Sequence, residues 1–420
     1  MNITECTECR ICGNRTLLPV LDLGTQALTG IFPSRDEPVP TAPLELVKCS
    51  PDGCGLVQLR HTADLSLMYG NHYGYRSGIR PFMINHLTDK VSRLTGMVDL
   101  GAGDLVLDIG SNDSTLLQAY PSDGPTLVGI DPTGEKWRAY YPDHIALIPD
   151  FFSKAAFTEL YGDRKAKIVT SIAMFYDLPD PTGFMEDVRD ILTDDGVWML
   201  EMSDLASMIK ALAYDAVCQE HLEYYSLRQI EWMAERVGLT VTTAEITDVN
   251  GGSLCVTLVK DPALHTVDTA SIEAVRRREA ELELDSMATY EEFARRVETH
   301  RDDLRAFIAA SKASGKRILG YGASTKGNVV LQYCGITAED LTVIGEVSPE
   351  KHGNFTPGSG IPIVSEEDAK ALRPDQLLVL PWAHRNGFVE REQEFLAEGG
   401  ELVFPLPSIS VVRAEGLNGR

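Results

Sequence analysis

Residues 106–118 read VLDIGSNDSTLLQ. The apolar run that ends in Asp108-Ile109-Gly110 has the length of a buried parallel strand. Ser111 to Asp113 carry the short polar side chains that cap helices, and Thr115-Leu116-Leu117 is read as the start of a helix. A strand, a tight turn and a helix in that order aim free backbone N–H groups, and the positive end of the helix, at whatever sits above the sheet. Gly110 lets that ligand approach the backbone closely. With one glycine after the strand, the turn fits neither G-x-G-x-x-G nor the phosphate loop. The expected ligand is a nucleoside rather than a pyrophosphate.

The next apolar segment, TLVGIDP at 126–132, places Asp131 at its tip, about 20 residues beyond the turn, where dinucleotide folds put the acid that binds ribose hydroxyls. A third strand-like stretch, HIALIPD, leads into Asp150-Phe151-Phe152. With Asp108 under the turn, this layout resembles class I S-adenosylmethionine-dependent methyltransferases. An ordinary doubly wound domain for another nucleotide is the plainer alternative, since acid-x-Gly turns are common.

Working outward, KIVTSIA, VWMLEM and SLCVTLV continue the alternation of strand and helix signals to about residue 262, the pattern of a mostly parallel sheet. Before it, residues 1–92 are rich in loops and hold five of the eight cysteines, all within the first 54 positions. After it, residues 263–314 are charged, helix-periodic and read as one or two helices joining lobes. From 315 to 420, KRILGYGASTKGNVV, LTVIGEVSP, QLLVLPWAH and ELVFPLP begin a second alternating block. The expected fold class is α/β: a Rossmann-like middle domain at 93–262, a small N-terminal metal module and a second Rossmann-like domain at the C-terminus.

The net charge of −24 argues against nucleic acid and anionic membrane as partners. An anionic substrate would need a local basic pocket. No apolar run is long enough to span a bilayer, and MNITECTECRICGN has neither a basic start nor an apolar core, so a cytoplasmic chain without an export signal is expected.

Cys9 and Cys12 form C-R-I-C, and Cys49 and Cys54 form C-S-P-D-G-C. Two such knuckles suit a closed tetrahedral zinc with a structural role. Cys6 offers a second register as the partner of Cys9, and free cysteines are the plain alternative. In AYDAVCQEHLEYYSLRQIEWM, His221 has the resting pKa of a general base, and on a helix it would lie near Tyr224 and Tyr225. The plain reading is a half-buried surface histidine. In LGYGASTKGN the turn through Gly322 and Ser324, with Lys326 one turn in, could cradle a diphosphate, and Lys351, His352, Trp382 and His384 follow in the loops beyond.

In one order along nearly the whole chain, CRIC with a second Cys pair, HYGYRSG, VLDIGSNDSTLL, QEHLEYYSL, NGGS, GYGASTKGN, EKHGNFTPG and PWAH resemble the C-methyltransferases of nucleotide-linked deoxysugars. The resemblance implies zinc on Cys9, Cys12, Cys49 and Cys54. It implies S-adenosylmethionine near Asp108, Gly110, Asn112, Asp131, Asp150 and Phe151. His221 would be the base, with Glu220 beside it and Tyr75 across the sugar pocket. Tyr73, Tyr224, Ser324, Lys326, Asn328, Lys351, Trp382 and His384 would bind the nucleotide-sugar. At Cys218, Asp177 and Ala383 the chain differs from relatives, so the resemblance carries the base but not the sugar, its stereochemistry or the methylated carbon. The expectation is carbon methylation of a nucleotide-linked 4-keto-6-deoxysugar by a monomer or small homo-oligomer. An O- or N-methyltransferase of a sugar or small metabolite and a non-catalytic nucleotide-sugar-binding protein are the rivals.

Overall fold

The computed structural model describes residues 3–63 and 75–414. At its centre is a seven-stranded sheet. Every residue of the strand Leu105–Ile109 is buried, as a continuous apolar run covered on both faces requires. Thr126–Ile130 and Ile145–Ile148 lie to one side of it in parallel, and Ala166–Ile172 and Leu192–Ser203 to the other. Beyond them Ser253–Val259 is inserted antiparallel against Leu192–Ser203, and Thr240–Thr247 closes the edge as its antiparallel partner. From the Ile145–Ile148 edge the strands run 3-2-1-4-5-7-6 in chain order. This is the class I methyltransferase arrangement. The edge strand Thr240–Thr247 is absent from the sequence expectations, although its alternating Thr/Val/Ala/Ile pattern carries the signal.

One expectation fails at the opening motif. No α-helix follows Gly110: Thr115-Leu116-Leu117 leads only into the short 3-10 turn Leu117–Ala119. Asn112 and Ser114 take positive φ values of 48° and 63°, and Asp113 accepts from the N–H and the hydroxyl of Thr115. The short polar side chains that looked like a helix cap instead satisfy the backbone locally and compete with helix formation. A nucleoside here meets turn N–H groups and side chains, and no helix dipole.

A four-stranded antiparallel sheet is built from Leu17–Ala27, Thr41–Cys49, Val57–Leu59 and, at its far edge, Glu223–Tyr224. The last strand belongs to QEHLEYYSL. The module therefore completes its sheet with a segment more than a hundred residues away. Beyond a small cluster of its own around Leu28, Ala42 and Ala63, its core is shared: Leu44, Leu46 and Val57 pack in one apolar cluster with Val217 and Leu222, with Phe293, Val297 and Leu304, and with Val329 and Val330.

The C-terminal sheet has the order Ile363–Ser365, Ile344–Glu346, Ile318–Tyr321, Gln376–Val379, Glu401–Phe404, Ser410–Val412, all parallel except the last. That is 3-2-1-4-5-6, the doubly wound order of dinucleotide folds. The charged region forms two helices that divide their allegiance. Thr269–Glu281 packs Ile272 and Val275 into the core of the central sheet, whereas Met287–Ala313 packs Phe293, Leu304 and Ile308 toward the C-terminal one. The helix Pro81–Thr95 likewise packs on the central sheet, through Met83, Leu87 and Val91 against Val106 and Met199.

Gln332 ties the C-terminal domain to the module: its Oε1 accepts from the Ala27 N–H at 2.8 Å and its Nε2 donates to the Ala27 carbonyl at 3.2 Å. Gln332→Leu keeps the bulk but strands both polar groups of a buried residue. It should lower stability by about 2 kcal/mol, read as an earlier midpoint in urea denaturation.

Candidate active site

Ligands of open α/β sheets lie where the strand order reverses, above the C-terminal ends of the two diverging strands. In the central sheet that point is between Gly110, after Leu105–Ile109, and Met174, after Ala166–Ile172. Gly110 has φ 75°, and a Cβ there would come 3.1 Å from Met174 Cγ, so both the conformation and the space call for glycine. Asp131 Oδ2 accepts from the Asn112 N–H at 2.8 Å, and Oδ1 accepts from the N–H and the hydroxyl of Thr133, each at 2.6 Å. These bonds fix the carboxylate in place. Asp108 is buried, accepts from Thr170 Oγ1 at 2.6 Å, and is pushed up to about 7 by burial. Tyr141 donates to the Asn112 carbonyl at 2.9 Å and accepts from Ser111, which locks the turn from below.

The second reversal, in the C-terminal sheet, lies between Gly322 and Pro381. Gly322 has φ 83°, and a Cβ there would lie 2.6 Å from the proline ring. Both crevices open onto one cavity of about 2180 Å³.

His221 lines that cavity. It sits in a loop between the short turn Tyr214–Ala216 and the strand Glu223–Tyr224, so the helical spacing to Tyr224 and Tyr225 does not apply. Its ring neighbour is Tyr176, at 4.3 Å between centroids. His221 Nδ1 is 2.9 Å from the Ala216 carbonyl. A carbonyl only accepts, so Nδ1 carries the proton and Nε2 keeps its lone pair. Burial and the charge of Lys326 push the imidazole down to about 3, against the bond to Ala216. Glu220 beside it is raised by burial, and its Oε2 has no hydrogen-bond partner.

Of the other sequence candidates, Tyr75, Asn112, Phe151, Ser324, Lys326, Lys351, Trp382 and His384 also line the cavity. Ser324 caps the helix Thr325–Tyr333 by accepting from the Gly327 N–H. Lys351 donates to the Ala323 carbonyl at 2.8 Å and lies over the Phe32 ring. Trp382 Nε1 donates to Asp215 Oδ2 at 2.7 Å. Asp150, Tyr224 and Asn328 are not among the lining residues. Asp150 is exposed, Tyr224 donates to the Ala216 carbonyl at 3.3 Å, and Asn328 donates to the Thr29 carbonyl at 2.8 Å. Tyr73 lies outside the described residues. Tyr176, Asp215, Gly30 and Arg80 line the cavity without having been singled out. The switch-point rule, applied to the loop after the fourth strand, is the signal that would have found Tyr176.

Away from the cavity, the sulfurs of Cys9, Cys12, Cys49 and Cys54 lie within 4.8 Å of one another, with the Cys9–Cys54 pair at 3.4 Å and the Cys12–Cys49 pair at 3.5 Å. Four thiolates around one zinc at about 2.3 Å stand roughly 3.8 Å apart, so the cluster fits that ion. Cys6 is excluded from the set: its sulfur bonds to the Glu8 carbonyl and accepts from Gln58.

Three family models match in succession: a putative zinc binding domain over residues 9–69, a methyltransferase domain over 79–244 and a C-methyltransferase C-terminal domain over 248–407. A curated protein of Streptomyces niveus, "C-methyltransferase NovU", is 31% identical over 412 residues, covering 97% of this chain and 97% of that one. This chain belongs to the C-methyltransferase family. Among solved structures, the CcbJ methyltransferase from Streptomyces caelestis shares 12% identity over 47% of this chain and 96% of its own, with a TM-score of 0.34. A Haloferax volcanii complex of the Trm112 methyltransferase activator with a putative methyltransferase gives 17%, 43%, 94% and 0.34 in the same order.

S-adenosylmethionine is the methyl donor of this fold class, and the residues present fit it. The fixed Asp131 carboxylate keeps one free acceptor position, on Oδ2, for a ribose hydroxyl, Gly110 leaves room at the backbone, and Phe151 offers an apolar wall that is 50% exposed. Among the described residues, no helix is long and apolar enough to cross a membrane.

Cys49→Ser should strip the zinc and destabilise the chain, whereas Cys6→Ser should keep both metal and stability. Elemental analysis alongside thermal denaturation distinguishes the two.

Proposed function

We propose that the chain methylates a carbon next to the ketone of a nucleotide-linked 4-keto-6-deoxysugar, with His221 Nε2 as the base. The observation that carries this reading is the bond from His221 Nδ1–H to the Ala216 carbonyl, which presents the basic nitrogen to the cavity shared by the two switch-point crevices. A C–H beside a ketone is acidic enough for a positioned imidazole to remove. Glu220, biased by burial toward its acid form, donates a hydrogen bond to the ketone oxygen and stabilises the enolate as charge develops there. S-adenosylmethionine, when bound, supplies the electrophilic methyl group. Asp131 and the Gly110 turn hold the donor, while Tyr75 and Tyr176 wall the acceptor.

The low proton affinity of His221 belongs to the protein without substrate. Lys326 and burial both disfavour the imidazolium, and an anionic substrate entering the same cavity offsets the lysine. Without substrate, the nitrogen resonances of His221 should remain those of the neutral, Nδ1-protonated ring from pH 8 to about pH 5. The linkage has a definite sign. Below about pH 6.5 the unfolded chain binds a proton that the folded His221 refuses, so this residue's contribution to stability is lost as pH falls.

Incubated in deuterium oxide without methyl donor, the protein should exchange the hydrogen beside the ketone of such a sugar. His221→Asn should abolish that exchange and reduce kcat by about 100-fold to 10,000-fold, with donor binding retained; exchange that persists in the variant assigns the base elsewhere. Where no hydrogen exchanges at all in the wild type, O- or N-methylation becomes the better account. A Cβ at Gly30 would meet Glu220 Oε1 at 2.4 Å. Gly30→Ala should therefore displace Glu220 and lower kcat while the fold, read by circular dichroism, stays intact.

A further inference from the structure

Arg80 stands at the N-terminus of the helix Pro81–Thr95, on the methyltransferase side of the cavity. Its Nη1 lies 2.8 Å from His384 Nε2, on the C-terminal side. An arginine only donates, so the imidazole accepts at Nε2. Among the described residues Arg80 has no carboxylate partner within ion-pair distance, although the chain carries 62 acidic residues. A planar guanidinium fork is built for carboxylate or phosphate, and here it rests on a neutral ring. That ring is kept neutral by burial and by two cations, Arg80 and Lys326, which together push His384 down to about 4.

Lys326, which enters the cavity from the helix Thr325–Tyr333, likewise has no ion pair or hydrogen bond among the described residues; the buried Asp215 is the carboxylate whose charge it feels. Lys351 is different, because Glu346 and Glu350 oppose its charge and its ammonium is committed to the Ala323 carbonyl. Arg80 and Lys326 thus enter the cavity from its two sides, neither with a carboxylate within ion-pair distance among the described residues, and both act on His384; Arg385, which also lines the cavity, donates to Ser410 and lies over the Phe404 ring.

We propose that Arg80, together with Lys326 and His384, binds the diphosphate of the substrate, so that the arginine reads it across the cleft from the methyltransferase side. This rests on the nucleotide-linked reading of the substrate given above. Two phosphoryl groups present enough oxygens to occupy the guanidinium fork and the ammonium at once, and their charge favours a proton on His384. A diphosphate-bearing sugar would thereby bind the two lobes together, whereas the same sugar without its nucleotide would leave the cations unsatisfied.

The test uses the zinc-loaded full chain, titrated calorimetrically with the diphosphates of thymidine, uridine, guanosine and cytidine, the matching monophosphates and S-adenosylhomocysteine. For the best diphosphate, Arg80→Ala should weaken binding by about 10-fold to 100-fold, and Arg80→Lys, which keeps charge but loses the fork, by less. The monophosphate should lose less than the diphosphate, and the slope of affinity against salt should fall in the alanine variant. S-adenosylhomocysteine should bind all three proteins alike, showing that the fold is intact. Equal diphosphate affinity in wild type and Arg80→Ala overturns the inference and leaves the substrate class standing. If the wild type binds none of the diphosphates, the nucleotide-linked reading itself fails, and the inference with it.

Discussion

The position of His221 depends on a backbone pairing between two distant parts of the chain. Val57–Leu59 pairs with Glu223–Tyr224, the Leu59 N–H donates to the Leu222 carbonyl at 2.8 Å, and the Leu222 N–H donates to the Tyr176 carbonyl at 2.7 Å. His221 is the residue just before this crossing. One side of the crossing is the cysteine module, where Cys49 ends the strand Thr41–Cys49 and Cys54 precedes Val57 by three positions. The other side is the loop after the fourth strand of the central sheet, which also lines the donor crevice. The cysteine cluster, which lies away from the cavity, is thereby connected, through a few hydrogen bonds, to the geometry of His221. The Ala216 carbonyl adds the last constraint by choosing the tautomer.

The two doubly wound sheets explain why one cleft serves both ligands. Each ends its first strand in a glycine with positive φ, and each glycine faces a residue of the loop after the fourth strand: Met174 opposite Gly110, Pro381 opposite Gly322. In both sheets the crevice lies at the C-terminal strand ends. The segments Leu205–Val217 and Met287–Ala313 share an apolar core with the four-stranded sheet and turn the crevices toward one another. Both crevices then border a common volume, the condition that transfer between bound ligands imposes.

Local patterns made the two sheets legible. Buried parallel strands such as Leu105–Ile109 and Gln376–Val379 are continuous apolar runs, and their type needs no tertiary knowledge. The thiol knuckles were equally readable as residue types, but the choice between Cys6 and Cys12 as the partner of Cys9 was not, because it depends on a hydrogen bond from Gln58 that only the folded hairpin supplies. The helix expected after Ser111-Asn112-Asp113 failed for a related reason. Capping residues and helix-competing residues are the same residues, and the outcome depends on which N–H groups they reach. Arg80 was illegible because its contact is with His384, more than three hundred residues away, and the helical spacing read between His221 and Tyr224 did not apply because Tyr224 lies in a strand.

In the proposed reaction, electrostatics ties the base to the substrate's charge. A histidine that must accept a proton gains nothing from a neighbouring lysine, and Lys326 lowers the proton affinity of both His221 and His384. The arrangement makes sense once the lysine is taken as one half of a pair whose partner arrives with the substrate. Before binding, burial and the lysine together keep His221 unprotonated, so its lone pair is available across the neutral pH range. On the proposed binding of a diphosphate, phosphate oxygens would offset the lysine, leaving burial as the remaining influence against the imidazolium. A sugar lacking the diphosphate would meet a base whose conjugate acid is too acidic to hold the proton. Discrimination for an activated sugar would then appear in kcat as well as in KM, because the anion that anchors the substrate also sets the basicity of the residue that attacks it.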